Sequence, residues 1–148
     1  MTAYDSEADL VRDFINAVLR FEASPFDTAT VGKEFDYRSG RADVITVTWD
    51  GEVVAFEAKL SRWREALHQA YRNTCFAHQS YVLLPWDVAE RAAAYQGEFD
   101  ARRVGICALR DGALVKLVEA PRHEPLQQWL ADRAVDHAYL QDTARRRA

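Results

Sequence analysis

"ADVITVTWDGEVVAFEAK", residues 42–59, reads as two β-strands folded back on each other. Both halves are rich in β-branched residues, and Asp50-Gly51 between them is a strong hairpin signal. The second strand is apolar until Glu57 and Lys59 interrupt its end. Residues i and i+2 of a strand share a face, so this acid and this base point the same way. What they meet depends on how the hairpin closes. A two-residue Asp50-Gly51 loop sets Asp43 opposite Ala58. A three-residue loop, Trp49-Asp50-Gly51, sets Asp43 opposite Glu57. The longer loop wants a type I turn followed by a left-handed residue, and Gly51 suits that position. In that register two carboxylates stand about 5 Å apart with Lys59 beside them. Like charges directly opposite destabilise a sheet unless a cation lies between them. An incomplete set of hard oxygen ligands open to water suits Mg²⁺ or Mn²⁺ better than zinc. Carboxylates that hold such an ion, with an ammonium nearby, are the parts needed to hydrolyse a phosphodiester. The plainer reading is a solvated ion pair at an exposed strand end.

Outward from the hairpin, "SEADLVRDFINAVLRF" opens as a helix capped by Ser6, with Asp9 completing the capping box. Its apolar stripe is Leu10, Val11, Phe14, Val18 and Phe21, which places Glu7 at the start of the buried face. Residues 31–37 form a short strand and "YRSGR" a turn. "RWREALHQAYRNTCF" is a helix with Trp63, Leu67, Ala70 and Thr74 on one face, and "SYVLLP" is an apolar strand. An alanine-rich helix from Asp87 runs to about residue 99. "RVGICAL" and "ALVKLVE" make a second hairpin around Asp111-Gly112. A long helix follows Pro125, with "RRR" at 145–147 expected to fray. The order α-β-β-β-α-β-α-β-β-α implies an α/β fold: a mixed sheet of five to six strands with helices on both faces.

The 148 residues suffice for one domain with a sizeable core. No apolar run is long enough to span a membrane and the first ten residues lack a secretory pattern, so a cytoplasmic protein is expected. Cys75 and Cys107 form no CxxC pair and read as small apolar residues. His68, His78, His123 and His137 lack zinc-type spacing and read as structural or surface groups. No phosphate-binding GxxxxGK[ST] and no nucleophile elbow is present. The net charge of −4 argues against a protein that coats nucleic acid. Residues 33–72 are balanced at seven bases and seven acids, so the acidic excess lies outside the middle of the chain.

With Asp43 and Glu57-Ala58-Lys59 on adjacent strands after a helix bearing Glu7, the chain resembles the PD-(D/E)XK nuclease superfamily, the restriction-endonuclease-like fold. Its core, α-β-β-β-α-β, is matched in order by residues 6–84, leaving 85–148 as C-terminal additions. The pattern is similar to archaeal Holliday junction resolvases and Mrr-type domains. Ala42 stands where the family often has proline, and Asn73 stands where a Q-x-x-x-Y pattern starting at Gln69 would have tyrosine. The resemblance implies metal binding by Asp43, Glu57 and the backbone carbonyl of Ala58. It further implies a water-orienting Lys59 and Glu7 as an outer or second-metal ligand.

Gln69 reads either as an exposed polar residue or as a cleft residue touching substrate. Arg38, Arg41, Arg62 and Arg72 surround the motif and are candidates for phosphate contacts, as is Arg64. Trp63 reads as core packing rather than a base-stacking platform. Together these residues point to a Mg²⁺- or Mn²⁺-dependent nuclease acting on DNA rather than RNA, with little sequence specificity. The grip expected of one small subunit is weak, so a homodimer or a partner protein is expected to complete the substrate contact. The alternative is an inactive module of the same fold that binds nucleic acid or a protein.

Overall fold

The computed structural model describes residues 4–38 and 40–147, with the side chains of 145–147 left out. The order is α1 (Glu7–Val18), a 3-10 turn (Phe21–Ala23), β1 (Thr30–Tyr37), β2 (Gly40–Val47), β3 (Val53–Ala58), α2 (Trp63–Asn73) and β4 (Gln79–Leu84). Then come α3 (Trp86–Ala93), α4 (Gln96–Arg102), β5 (Val104–Arg110), β6 (Ala113–Val118) and α5 (Gln128–Arg147). The six strands lie side by side in chain order. β3, β4 and β5 run parallel, while β1–β2–β3 and β5–β6 are antiparallel ladders. This is the mixed α/β sheet flanked by helices that the strand and helix pattern implies.

Hydrophobic alternation divides the core by faces. Leu10, Phe14 and Val18 of α1 pack on Val44, Val54, Phe56, Tyr81 and Leu83. On the opposite face Ile45, Val47, Val53 and Ala55 meet Leu130, Ala134 and Ala138 of α5. Further along that face, Ala66 and Leu67 of α2, Ala89 of α3 and Phe99 of α4 cover Val82, Leu84, Val104 and Ile106. Ser6 caps α1 as expected, its hydroxyl accepting the Asp9 N–H at 3.1 Å.

Two expectations change. The alanine-rich segment is two helices rather than one, broken around Tyr95, where the Tyr-Gln-Gly sequence is a weak helix former. The helical backbone continues through "RRR" to Arg147 instead of fraying there. In the "YRSGR" turn, Ser39 lies outside the described residues. The histidines are structural where their bonds are defined. His78, which is buried, accepts the Val53 N–H through Nδ1 at 3.0 Å and donates its own N–H to the Val53 carbonyl at 2.8 Å. Cys107 is buried and Cys75 half-buried.

The β2–β3 hairpin closes through three residues. Val44 pairs with Phe56 and Val47 with Val53, and the Thr48 N–H donates to the Glu52 carbonyl at 2.9 Å. Trp49, Asp50 and Gly51 form the loop, with Gly51 at φ +85°. Across β2, Lys33 pairs with Val44 and Phe35 with Ala42. Glu34, between them, has φ +55°, a left-handed value for a residue with a side chain. There the alternation slips: Val31 faces the α1 side, while Phe35 and Tyr37 face α5. The outer edge of β1 is tied to α5. Gln141 accepts the Lys33 N–H at 2.6 Å and donates to its carbonyl at 2.9 Å, and His137 Nε2 lies 2.7 Å from the same carbonyl.

Gly105 is where β5 passes under a neighbouring ring. A Cβ there would stand 2.4 Å from Tyr81 Cε1 and 2.5 Å from the Val118 carbonyl oxygen. Gly97, in α4, has nothing within 4 Å of its would-be Cβ. Gly105→Ala is expected to destabilise by about 3 kcal/mol through overpacking. Gly97→Ala is expected to stabilise by ~0.5–1 kcal/mol. Urea denaturation of the two variants checks this contrast.

Candidate active site

Asp43 and Glu57 come together because the three-residue loop fixes the register. Continuing the ladder beyond Val44–Phe56 sets position 43 opposite 57. The Asp43 carboxylate accepts the Ala58 N–H at 2.9 Å. Glu57 is 1% exposed although it carries a carboxyl group. Its side chain is hydrogen-bonded to the Asp43 carboxyl and to the Asp43 backbone, and it accepts the Asn73 amide N–H at 2.9 Å. Burial, followed by the nearby Asp43 charge, holds the Glu57 carboxyl far above the usual carboxylate range. Glu57 therefore keeps its proton near neutral pH in the metal-free protein.

Lys59 follows the end of β3. Its Nζ lies 3.0 Å from Glu65 of α2 and 3.9 Å from Glu7 at the start of α1. The hydrogen bond to Glu65 is the main cause of a raised lysine pKa, which the Glu7 and Asp43 charges reinforce against partial burial. The same bond lowers the pKa of Glu65. Lys59 is thus a fixed ammonium at neutral pH. Glu7, expected as an outer or second-metal ligand, lines the same cleft as Asp43 and has Lys59 as its ion-pair partner.

A cleft of about 530 Å³ opens between α1, the middle of β1 and β2 and the end of β3, walled by Glu7, Val11, Lys33, Glu34, Asp43 and Ala58. A larger recess of about 800 Å³ on another flank of α1, among Asp13, Arg20, Trp86 and Asp111, contains none of the motif residues. Among the described residues, no three His, Cys, Asp or Glu side chains gather closely enough to hold a metal ion. The donor set is therefore two carboxylates, Asp43 and Glu57, with the Ala58 carbonyl close by in sequence. Mg²⁺ is commonly held by one or two carboxylates with water completing the octahedron, so this pair fits such an ion.

The remaining candidates divide. Gln69 is half-buried, one turn before Asn73 and one turn after Glu65 on α2. Arg72 Cζ would lie 3.7 Å from a Cβ on Gly40, which places it near the Tyr37 hydroxyl at the β1–β2 turn. Arg41 is bound to Asp36 at 2.6 Å, and Arg62 lies 3.7 Å from Glu65. Arg64 pairs with Glu98 at 2.9 Å and covers the rings of Trp63 and Tyr95. Trp63 is half-buried and stacks on Phe99 at 5.4 Å, as its packing role requires. Arg38 is exposed.

Sequence reasoning missed Glu65, Asn73 and Tyr37 as members of this network. Asn73 is 0% exposed, and its Oδ1 accepts the Tyr37 hydroxyl at 2.6 Å. The available signal was its spacing, three residues after Ala70 and seven after Ala66, which puts an amide in a buried stripe.

No protein-family model and no curated protein matches the chain. Among solved structures it is similar to a protein of unknown function from Silicibacter pomeroyi. That likeness has 17% identity and a TM-score of 0.56, over 78% of this chain and 75% of that one. It is also similar to a repair endonuclease from Pyrococcus abyssi, with 18% identity and a TM-score of 0.43, over 74% of this chain and 49% of that one. The first likeness shows a shared fold and nothing further; the second is too loose to carry an argument about this chain. Among the described residues no helix is long and apolar enough to cross a membrane.

A carboxyl whose folded pKa is raised keeps a proton that the unfolded chain releases, so stability falls as pH rises above the unfolded value. The unfolded value for Glu57 is near 4.5. The melting temperature of the metal-free protein is therefore expected to fall between about pH 5 and pH 8. Glu57→Gln is expected to flatten this slope and to raise Tm near pH 8 by roughly 4–8 °C. Calorimetric scans across pH read both effects.

Proposed function

We propose that this protein is a divalent-metal-dependent nuclease that hydrolyses phosphodiester bonds, with DNA as its substrate. The observation that carries the reading is the buried Glu57 carboxyl hydrogen-bonded to the half-buried Asp43, with the Lys59 ammonium just past the end of the same strand. Asp43 and Glu57 are the residues that would hold Mg²⁺ or Mn²⁺, with the Ala58 carbonyl as a third donor. When bound, such an ion polarises a phosphoryl oxygen and lowers the pKa of water.

The chain's own residues do the rest. Lys59 is held protonated by Glu65 and Glu7, so it does not act as a base. It orients the attacking water by hydrogen bonding and stabilises the negative charge that develops on the phosphoryl oxygens. Glu7 restrains the ammonium from the α1 side, and Gln69 on α2 faces the same end of the sheet as a substrate contact. Arg38 and Arg72 at the β1–β2 turn, with Arg62 at the start of α2, supply phosphate contacts along the backbone. Arg41 contributes less, because Asp36 already occupies its guanidinium. One subunit offers few such contacts, and a second copy or a partner protein supplies the remaining area.

Purified protein incubated with supercoiled plasmid, single-stranded DNA, a four-way junction and RNA is expected to cut DNA with Mg²⁺ or Mn²⁺ and not with EDTA. Asp43→Ala is expected to abolish cutting. Lys59→Ala is expected to slow it by about 10²–10³-fold. Metal-independent cutting that survives Asp43→Ala, or no cutting together with no Mn²⁺ binding by calorimetry, would move the assignment to a binding module of the same fold.

A further inference from the structure

We propose that Tyr37 and Asn73 form a positioning relay that sets the orientation of the Glu57 carboxylate toward Asp43. The relay is a chain of two hydrogen bonds inside the protein. The Tyr37 hydroxyl donates to Asn73 Oδ1 at 2.6 Å, and Asn73 Nδ2 donates to Glu57 Oε1 at 2.9 Å. Its members come from β1, from the last turn of α2 and from β3. All three side chains are buried.

The direction of the chain follows from chemistry. An amide has one accepting end and one donating end. With Oδ1 occupied by a hydroxyl proton, only the NH₂ can face Glu57. Without the hydroxyl, nothing holds the amide oxygen away from Glu57, and either end of the amide can face the carboxyl. The tyrosine thus fixes the amide, and the amide fixes one oxygen of Glu57. The Asp43 N–H provides a second hold on the same carboxylate, so its plane is set from two directions. Tyr37 is itself held by aromatic packing, with its ring 4.9 Å from Phe76 and 6.2 Å from Phe35. Removing its hydroxyl leaves this packing in place. Groups that orient a metal-binding side chain commonly change metal affinity by 10–100-fold when they are lost.

The orientation claim stands on the metal-free structure, whereas its consequence for metal affinity rests on the proposed nuclease reading. The test separates them. Melting temperatures of the metal-free wild type, Tyr37→Phe, Glu57→Gln and the double variant form one cycle; Asn73→Ala with Glu57→Gln forms a second, should either single variant fold poorly. Mn²⁺ affinity is measured on the same proteins by calorimetry. The relay predicts non-additive Tm shifts in the cycles and Mn²⁺ binding about tenfold weaker in Tyr37→Phe. Additive shifts overturn the relay, whatever the metal does. Unchanged Mn²⁺ affinity in both Tyr37→Phe and Asn73→Ala also overturns it. Non-additive shifts in a wild type that neither binds Mn²⁺ nor cuts DNA support the relay and overturn the nuclease reading alone.

Discussion

Asp43 and Glu57 face each other because the β2–β3 hairpin turns through three residues. Side chains alternate along a strand, so a loop shorter by one residue would move Glu57 away from Asp43 and place Ala58 there. Gly51 makes the three-residue turn affordable, since its φ of +85° is open to glycine and strained for other residues. Everything else at the site is arranged around that register. The Asp43 carboxylate takes up the Ala58 N–H at the point where the ladder ends, and Lys59 follows directly after it.

Two helices then complete what the hairpin begins. α2 meets the end of β3 twice: Glu65 in its first turn binds Lys59, and Asn73 at its last residue binds Glu57. The apolar side of that helix, Ala66, Leu67 and Ala70, locks it to the sheet, so the polar contacts are set by packing rather than by a flexible loop. α1 packs on the opposite face and brings Glu7 to the rim. The left-handed Glu34 stands across from Asp43 and turns β1 from one side of the sheet to the other within one residue. Backbone strain of this kind collects beside functional groups, where the surrounding packing can hold it.

Much of the architecture and the central motif could be read in advance because they depend on local signals. Strand alternation, two Asp-Gly turns and helical stripes define most elements, and Gly51 favours the correct one of two hairpin registers. The environment of Lys59 and Glu57 could not be read this way. Glu65 is an ordinary charged residue in a helix until β3 places Lys59 beside it. Asn73 joins residues 36 and 16 positions away, Tyr37 and Glu57, and such pairings leave no periodic trace. Arg41 shows the reverse case: its position suggests a phosphate contact, but Asp36 lies directly across the β1–β2 ladder and takes it. The division of the alanine-rich segment turns on one weak helical stretch at Tyr95–Gly97, where boundary signals are faint.

The Gln141 and His137 contacts on Lys33 also govern what the sheet can join. β1 is an outermost strand, and such a strand presents unsatisfied amides and carbonyls to any extended chain that approaches. Here a helix of the same molecule answers the groups of Lys33 with side chains, like a tongue seated in the groove of a plank. A second molecule cannot lengthen the sheet through that residue while α5 remains docked. Growth of the sheet by strand addition is thereby stopped at this point of the β1 edge, and β6 is the other outer strand of the sheet.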